Sequence, residues 1–276
     1  MSSTILRTIG LGILALVIAL FPGGIWTALL ITNLRLSPGI PWSVLAMGIF
    51  LWALWRYLGG WGPPRANSEK RHRLLRAAAV PAPVFGWAIV AGMFGIVALA
   101  GFWIVLLQLV KVPLHTLPDF SKYPLQTVVA VIAMACVVSA VPEEAAFRGY
   151  FQSFLEQRLS AAGAIMLSAL VLTPGHCATQ GFVWPVVLFY FLVDSMLGTM
   201  AYLTKSILPS VVVHFIGLLM FFTSVWPQDG TRPFVRDAGP GLWFWVHLGQ
   251  LVLCGLLALL TFRRLARLTH GLRAAS

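Results

Sequence analysis

The chain has 276 residues, 59% of them hydrophobic and only 10% charged, where a soluble domain carries about a quarter charged residues. The net charge of +11 falls in short basic stretches between apolar runs. That placement fits the positive-inside rule and attraction to anionic headgroups, and it argues against nucleic-acid binding. Cys136, Cys177 and Cys254 are scattered and odd in number, so neither a disulfide framework nor a thiolate metal site is expected.

Apolar runs of roughly 20 residues recur along the chain, and they predict a polytopic all-α bundle of about eight transmembrane spans. The first runs from Ile5 to Phe21, with Arg7 near its start. It looks like a signal sequence but is followed by no clear small-x-small cleavage site, so it is read as an uncleaved span ending at Pro22-Gly23-Gly24. Ile25 to Leu34 is too short to cross and is expected to be an interfacial connector. Span 2, Pro41 to Leu58, carries interfacial Trp42, Trp52, Trp55 and Tyr57. Gly59 to Val80 holds Arg65, Lys70, Arg71, Arg73 and Arg76 against the lone acid Glu69. These read as solvated charges at the cytoplasmic surface.

Span 3 is Val84 to Val110, followed by a polar connector, Lys111 to Tyr123. Span 4 begins at Leu125 and, with no proline beyond Arg148, is expected to continue to Leu159, roughly 50 Å at 1.5 Å per residue. Span 5, Ala161 to Leu172, is rich in small residues and is expected to break at Thr173-Pro174-Gly175, just before His176. Spans 6 and 7 run Phe182 to Leu203 and Ile207 to Trp226, with Lys205 in the return between them. Pro227 to Pro240 is an exterior loop, and span 8, Leu242 to Phe262, leads to a tail with Arg263, Arg264, Arg267 and Arg273. Eight spans put both termini and the strongly basic segments in the cytoplasm of a cell bounded by the plasma membrane. The expected organisation is one integral membrane domain, 1–276, whose chemistry lies within 125–226.

Glu143, Glu144 and Arg148 are the conspicuous charges, because an ionisable residue inside a span is costly and points to function. On an α-helix Glu144 and Arg148 are i,i+4 and pair on one face. Glu143 points ~100° from Glu144 and ~140° from Arg148 at 3.6 residues per turn. Its candidate partners are His176 and His214, which lie at comparable helix depths of roughly 14–22 Å at 1.5 Å per residue. A buried glutamate beside histidines has the chemistry to activate water for attack on a carbonyl. Asp194, the other acid within a span, reads chiefly as a helix–helix hydrogen bonder, with membership of the site as the second option. His72, His115, His247 and His270 read as bystanders. No His-Glu-x-x-His, Gly-x-Ser-x-Gly or Walker motif occurs.

Glu143-Glu144-x-x-x-Arg148, then His176, then Lys205-Ser-Ile-Leu-Pro-Ser-Val-Val-Val-His214 resemble the three motifs of the CPBP (Abi) intramembrane proteases, which include CAAX prenyl proteases and bacteriocin-processing or immunity proteins. The resemblance spans about Val131 to Leu219. It implies that Glu143 is the general base, that Glu144 and Arg148 form its structural ion pair, and that His176 and His214 assist catalysis or bind the oxyanion. The implied activity is hydrolysis of a peptide bond in a membrane-associated or lipidated substrate. Glutamic and metal-dependent types are both described in the family. Two Glu and two His are suitable zinc donors, but no obligatory metal is expected. Leu172 stands where the family's second motif usually has Phe, and Leu218 where the third often has Asn. The loss of that donor keeps open an inactive scaffold or bacteriocin-immunity protein as the alternative, with a proton-coupled transporter a more distant one.

Overall fold

The computed structural model describes residues 3–112 and 119–274, and every regular element among them is helical. His115 lies outside the described residues. Seven helices are long and apolar enough to cross a membrane, and an eighth apolar helix, Trp42–Leu58, is shorter. The polytopic expectation therefore holds. The chain divides into two compact units, Met1–Ala77 with Pro118–Leu159, and Ala78–Leu117 with Ser160–Ser276.

In the first unit, α1 (Ser3–Leu36) runs unbroken through Pro22. The expected stop at Pro22-Gly23-Gly24 and the interfacial connector after it are both corrected. Within lipid a broken helix would expose backbone groups with no water to satisfy them, so the helix is kept through Pro and Gly and the few groups freed are satisfied locally. Asn33, fully buried, terminates the helix: its amide donates to the carbonyls of Ser37 and Ile40, and its Oδ1 accepts from the Ser43 amide. The next helix, α2 (Trp42–Leu58), packs with α1 and with α5 (Leu125–Glu143) around Trp26, Met47, Leu51, Val131 and Val138.

A tight turn and the short α3 (Ser68–Leu75) follow α2. Arg71 was expected to be solvated, but it is buried. Its guanidinium donates to the carbonyls of Tyr57, Gly60, Trp61, Gly62 and Pro64 at 2.8–3.2 Å and lies over the Tyr57 ring. Gly60, at φ +102°, is required here, because a Cβ would sit 2.7 Å from the Ser68 carbonyl. α5 continues as a π-helix, Glu144–Phe151, and ends in α6 (Gln152–Leu155), a little short of the expected Leu159.

The second unit is built on α4 (Ala82–Leu109), whose apolar window is 67% buried against 17% for α11 (Leu242–Ala274). Small residues let neighbours approach α4 closely: a Cβ on Gly92 would meet Val213 and Met200 at 2.5–2.7 Å, and one on Gly95 would overlap Met196. α7 (Ala161–Gln180) begins at Ser160, whose hydroxyl accepts from the Gly163 amide. It continues through Pro174, so the break expected before His176 does not occur. Thr173 Oγ1 donates to the Ala169 carbonyl in the adjoining turn. α8 (Trp184–Thr204) turns at Lys205, φ +54°, into α9 (Leu208–Met220). A π turn, Phe221–Val225, and a 3-10 turn, Trp226–Thr231, extend α9, and the short α10 (Val235–Ala238) follows. Trp103 Nε1 on α4 donates to Asp229 Oδ2 at 3.0 Å, and Arg232 pairs with the same carboxylate. The basic tail after span 8 continues α11 as helix.

Candidate active site

The first unit holds the carboxylate cluster. Glu143, 7% exposed, is the last residue of α5; Glu144, 0% exposed, opens the π-helix, and Arg148, 2% exposed, lies in its middle. Arg148 Nη1 lies 3.6 Å from Glu144 Oε1, so the expected ion pair is present in a fully desolvated setting. The helix does not keep 3.6 residues per turn through the motif. An i→i+5 ladder replaces it at Glu144, so the angles expected from an ideal α-helix do not carry past Glu143. Pro142, two residues before the transition, has no N–H to give the carbonyl four residues earlier. π segments of this kind occur often at functional sites.

The basic turn is clamped onto this helix. Arg76 makes a two-pronged ion pair with Glu156, at 2.9 and 3.1 Å, and Gln152 Nε2 donates to the same carboxylate at 3.0 Å. Tyr150 donates its hydroxyl to the Leu58 carbonyl at 2.6 Å. Gly149 faces the α3 backbone so closely that a Cβ would stand 2.9 Å from the Leu75 carbonyl oxygen. Of the basic residues read as solvated, Arg71 and Arg76 are therefore structural. Their roles depend on carbonyls and a carboxylate distant in sequence, which composition and spacing do not register.

The second unit holds both histidines. His176 lies in the latter part of α7, inside the helix rather than beyond its end. Its Nε2 is 3.8 Å from Asp194 Oδ2 on α8, and its ring stacks on Tyr190 with centroids 4.3 Å apart and planes 13° from parallel. Asp194 thus contacts α7 from α8, and its neighbour across that contact is a candidate site residue. Tyr190 did not figure in the sequence reading at all. A signal was available, since Tyr190 and Asp194 are i,i+4 on the helix that follows His176 across a short turn. His214 is buried in the second turn of α9, 6% exposed. Leu218, where the resemblance places Asn, is partly buried one turn further on. Of the histidines read as bystanders, His72 has Nδ1 3.2 Å from the Gly59 carbonyl, and His247 contacts Gln250 and stacks on Trp243. Among the described residues no three His, Cys, Asp or Glu side chains are gathered as a metal-holding set.

Residues 125–220 match the family model described as type II CAAX prenyl endopeptidase Rce1-like. The match takes in roughly a third of the chain and contains Glu143, Glu144, Arg148, His176 and His214. It agrees with the resemblance to the CPBP proteases and places this chain's segment among membrane endopeptidase-like sequences. No curated protein and no solved structure matches the chain.

Proposed function

We propose that the chain is an intramembrane endopeptidase in which Glu143 activates a water molecule and His176 and His214 assist. The observation that carries this reading is the family match over 125–220, which includes all five motif residues. Burial of Glu143, Glu144, Arg148 and His214 supports it, since buried ionisable residues in a membrane protein are costly and tend to be functional. Glu143 takes a proton from water as the oxygen adds to the scissile carbonyl carbon. The histidines orient the water and donate to the oxyanion. The C–N bond then breaks, and the proton returns from Glu143 to the leaving amine. Glu144 and Arg148 neutralise each other and fix the helix that carries the base. Peptide segments of membrane-associated proteins, lipidated or transmembrane, are the substrate class. The site is read without an obligatory metal ion.

The test uses purified protein in detergent or vesicles with lipidated and transmembrane peptides. Glu143→Gln and His214→Ala should each lower cleavage by on the order of 100-fold or more. Cleavage that survives both substitutions would remove the assignment. Activity lost to a chelator and restored by zinc alone would transfer water activation to a metal ion. Leu218 favours a second reading, a non-catalytic scaffold or immunity protein, because a leucine cannot donate to an oxyanion. Failure to cleave any peptide, with partner binding retained, would put that reading first.

A further inference from the structure

His176 meets α8 through two different contacts, at an edge of its ring and at its face. Tyr190 and Asp194 are one turn apart on α8 and face α7 together. The Tyr190 ring, 7% exposed, lies flat against the imidazole and sets its plane. The Asp194 carboxylate, its side chain 1% exposed, lies in that imidazole's neighbourhood at Nε2 and sets which edge points inward. Two such contacts fix the two ways a histidine ring can turn about its stem. A carboxylate placed within a span only to pin two helices has no need of an imidazole nitrogen as its neighbour.

We propose that Asp194 and Tyr190 are positioning residues for His176, a role that rests on the endopeptidase reading. Asp194 holds the tautomer with hydrogen on Nε2, and Nδ1 thereby becomes the acceptor directed at the attacking water. In a neutral imidazole one nitrogen donates and the other accepts, and the partner of the first decides which is which. The 3.8 Å separation is in ion-pair range and longer than a hydrogen bond. Contacts of catalytic groups are often long before substrate binds and tighten in the complex. Neither residue touches the reacting atoms, and the effect of each passes through the His176 ring.

The experiment pairs a spectroscopic readout with kinetics on the full-length protein in detergent. Ring-15N histidine spectra, with His176 assigned by its loss in His176→Gln, report the tautomer. Wild type should show hydrogen on Nε2, and Asp194→Asn should populate the Nδ1–H form. With a cleaved peptide, Asp194→Asn should lower kcat by on the order of 10–100-fold, the usual cost of losing a histidine's orienting partner, and leave KM within a few-fold. Asp194→Glu, which keeps the carboxylate, should restore most of kcat and the Nε2–H tautomer. Tyr190→Leu, which removes the stack, should lower kcat similarly. Unchanged tautomer and kcat in Asp194→Asn would overturn the proposal and leave Asp194 as a helix pin. Should Asp194→Asn not fold, a His176 tautomer in Asp194→Glu that differs from wild type overturns it, and an identical one supports it. If no peptide is cleaved even by wild type, the endopeptidase reading fails, while the spectra still decide the Asp194–His176 pairing.

Discussion

At the depth of Glu144 and Arg148 neither charge has water to fall back on, and each lies within ion-pair reach of the other. Both side chains are at most 2% exposed, 3.6 Å apart. Removing one partner strands a buried charge, which typically costs about 3–5 kcal/mol, whereas replacing both with apolar or neutral groups of similar size is far milder. Arg148→Ala should therefore lower unfolding stability in detergent by about 3–5 kcal/mol. Glu144→Gln combined with Arg148→Met should recover most of that loss. A double replacement as damaging as the single one would show that the pair's worth lies outside its mutual charge. This pair was legible in the sequence because i,i+4 spacing is local. Arg71 and Arg76 were not, since their partners, five carbonyls of the 57–64 turn and Glu156, come together only on folding.

At the scale of elements, hydropathy located the long helices well, but the punctuation misled. Pro22 and Pro174 mark breaks in a soluble chain, and here α1 and α7 pass through both. The π-helix at Glu144–Phe151 was invisible, because the choice between i→i+4 and i→i+5 ladders is decided by packing. Part of that packing is the meeting of Gly149 with the backbone of α3. Gly149→Ala drives a methyl toward the carbonyl oxygens of Leu75 and Leu74, at 2.9 and 3.2 Å, and neither can rotate away. The expected loss is about 1–3 kcal/mol of stability, with reduced cleavage because the strained helix carries the Glu144–Arg148 pair. Gly24→Ala provides the contrast. Nothing lies within 4 Å of that Cβ, so melting in detergent should be unchanged or raised by up to about 1 kcal/mol.

For the whole molecule, the side of the bilayer from which α1 enters turns on α2. It has 17 residues, near the lower limit of about 17–25 for a span, while the seven other candidates are 18 residues or longer. If α2 crosses, α1 and α2 form a hairpin that puts Arg7, at the start of α1, on the same side as the turn holding Arg65, Lys70 and Arg73. If it does not, Arg7 and that turn face opposite sides, against the tendency of Lys and Arg near span ends to remain cytoplasmic. Trp42 at the start of α2, and Trp55 and Tyr57 near its end, are suited to the two interfaces of a crossing helix. Crossing is therefore the expected outcome, with both termini cytoplasmic. Single cysteines introduced as Gly39→Cys, in the turn between α1 and α2 where a Cβ meets nothing within 4 Å, and as Ala66→Cys, probed with a membrane-impermeant maleimide, give the measurement. The cysteine at 39 should label in intact cells, and the one at 66 only after permeabilisation. Labelling of both sites under the same condition, in intact cells or only after permeabilisation, would place α2 on the surface of the bilayer.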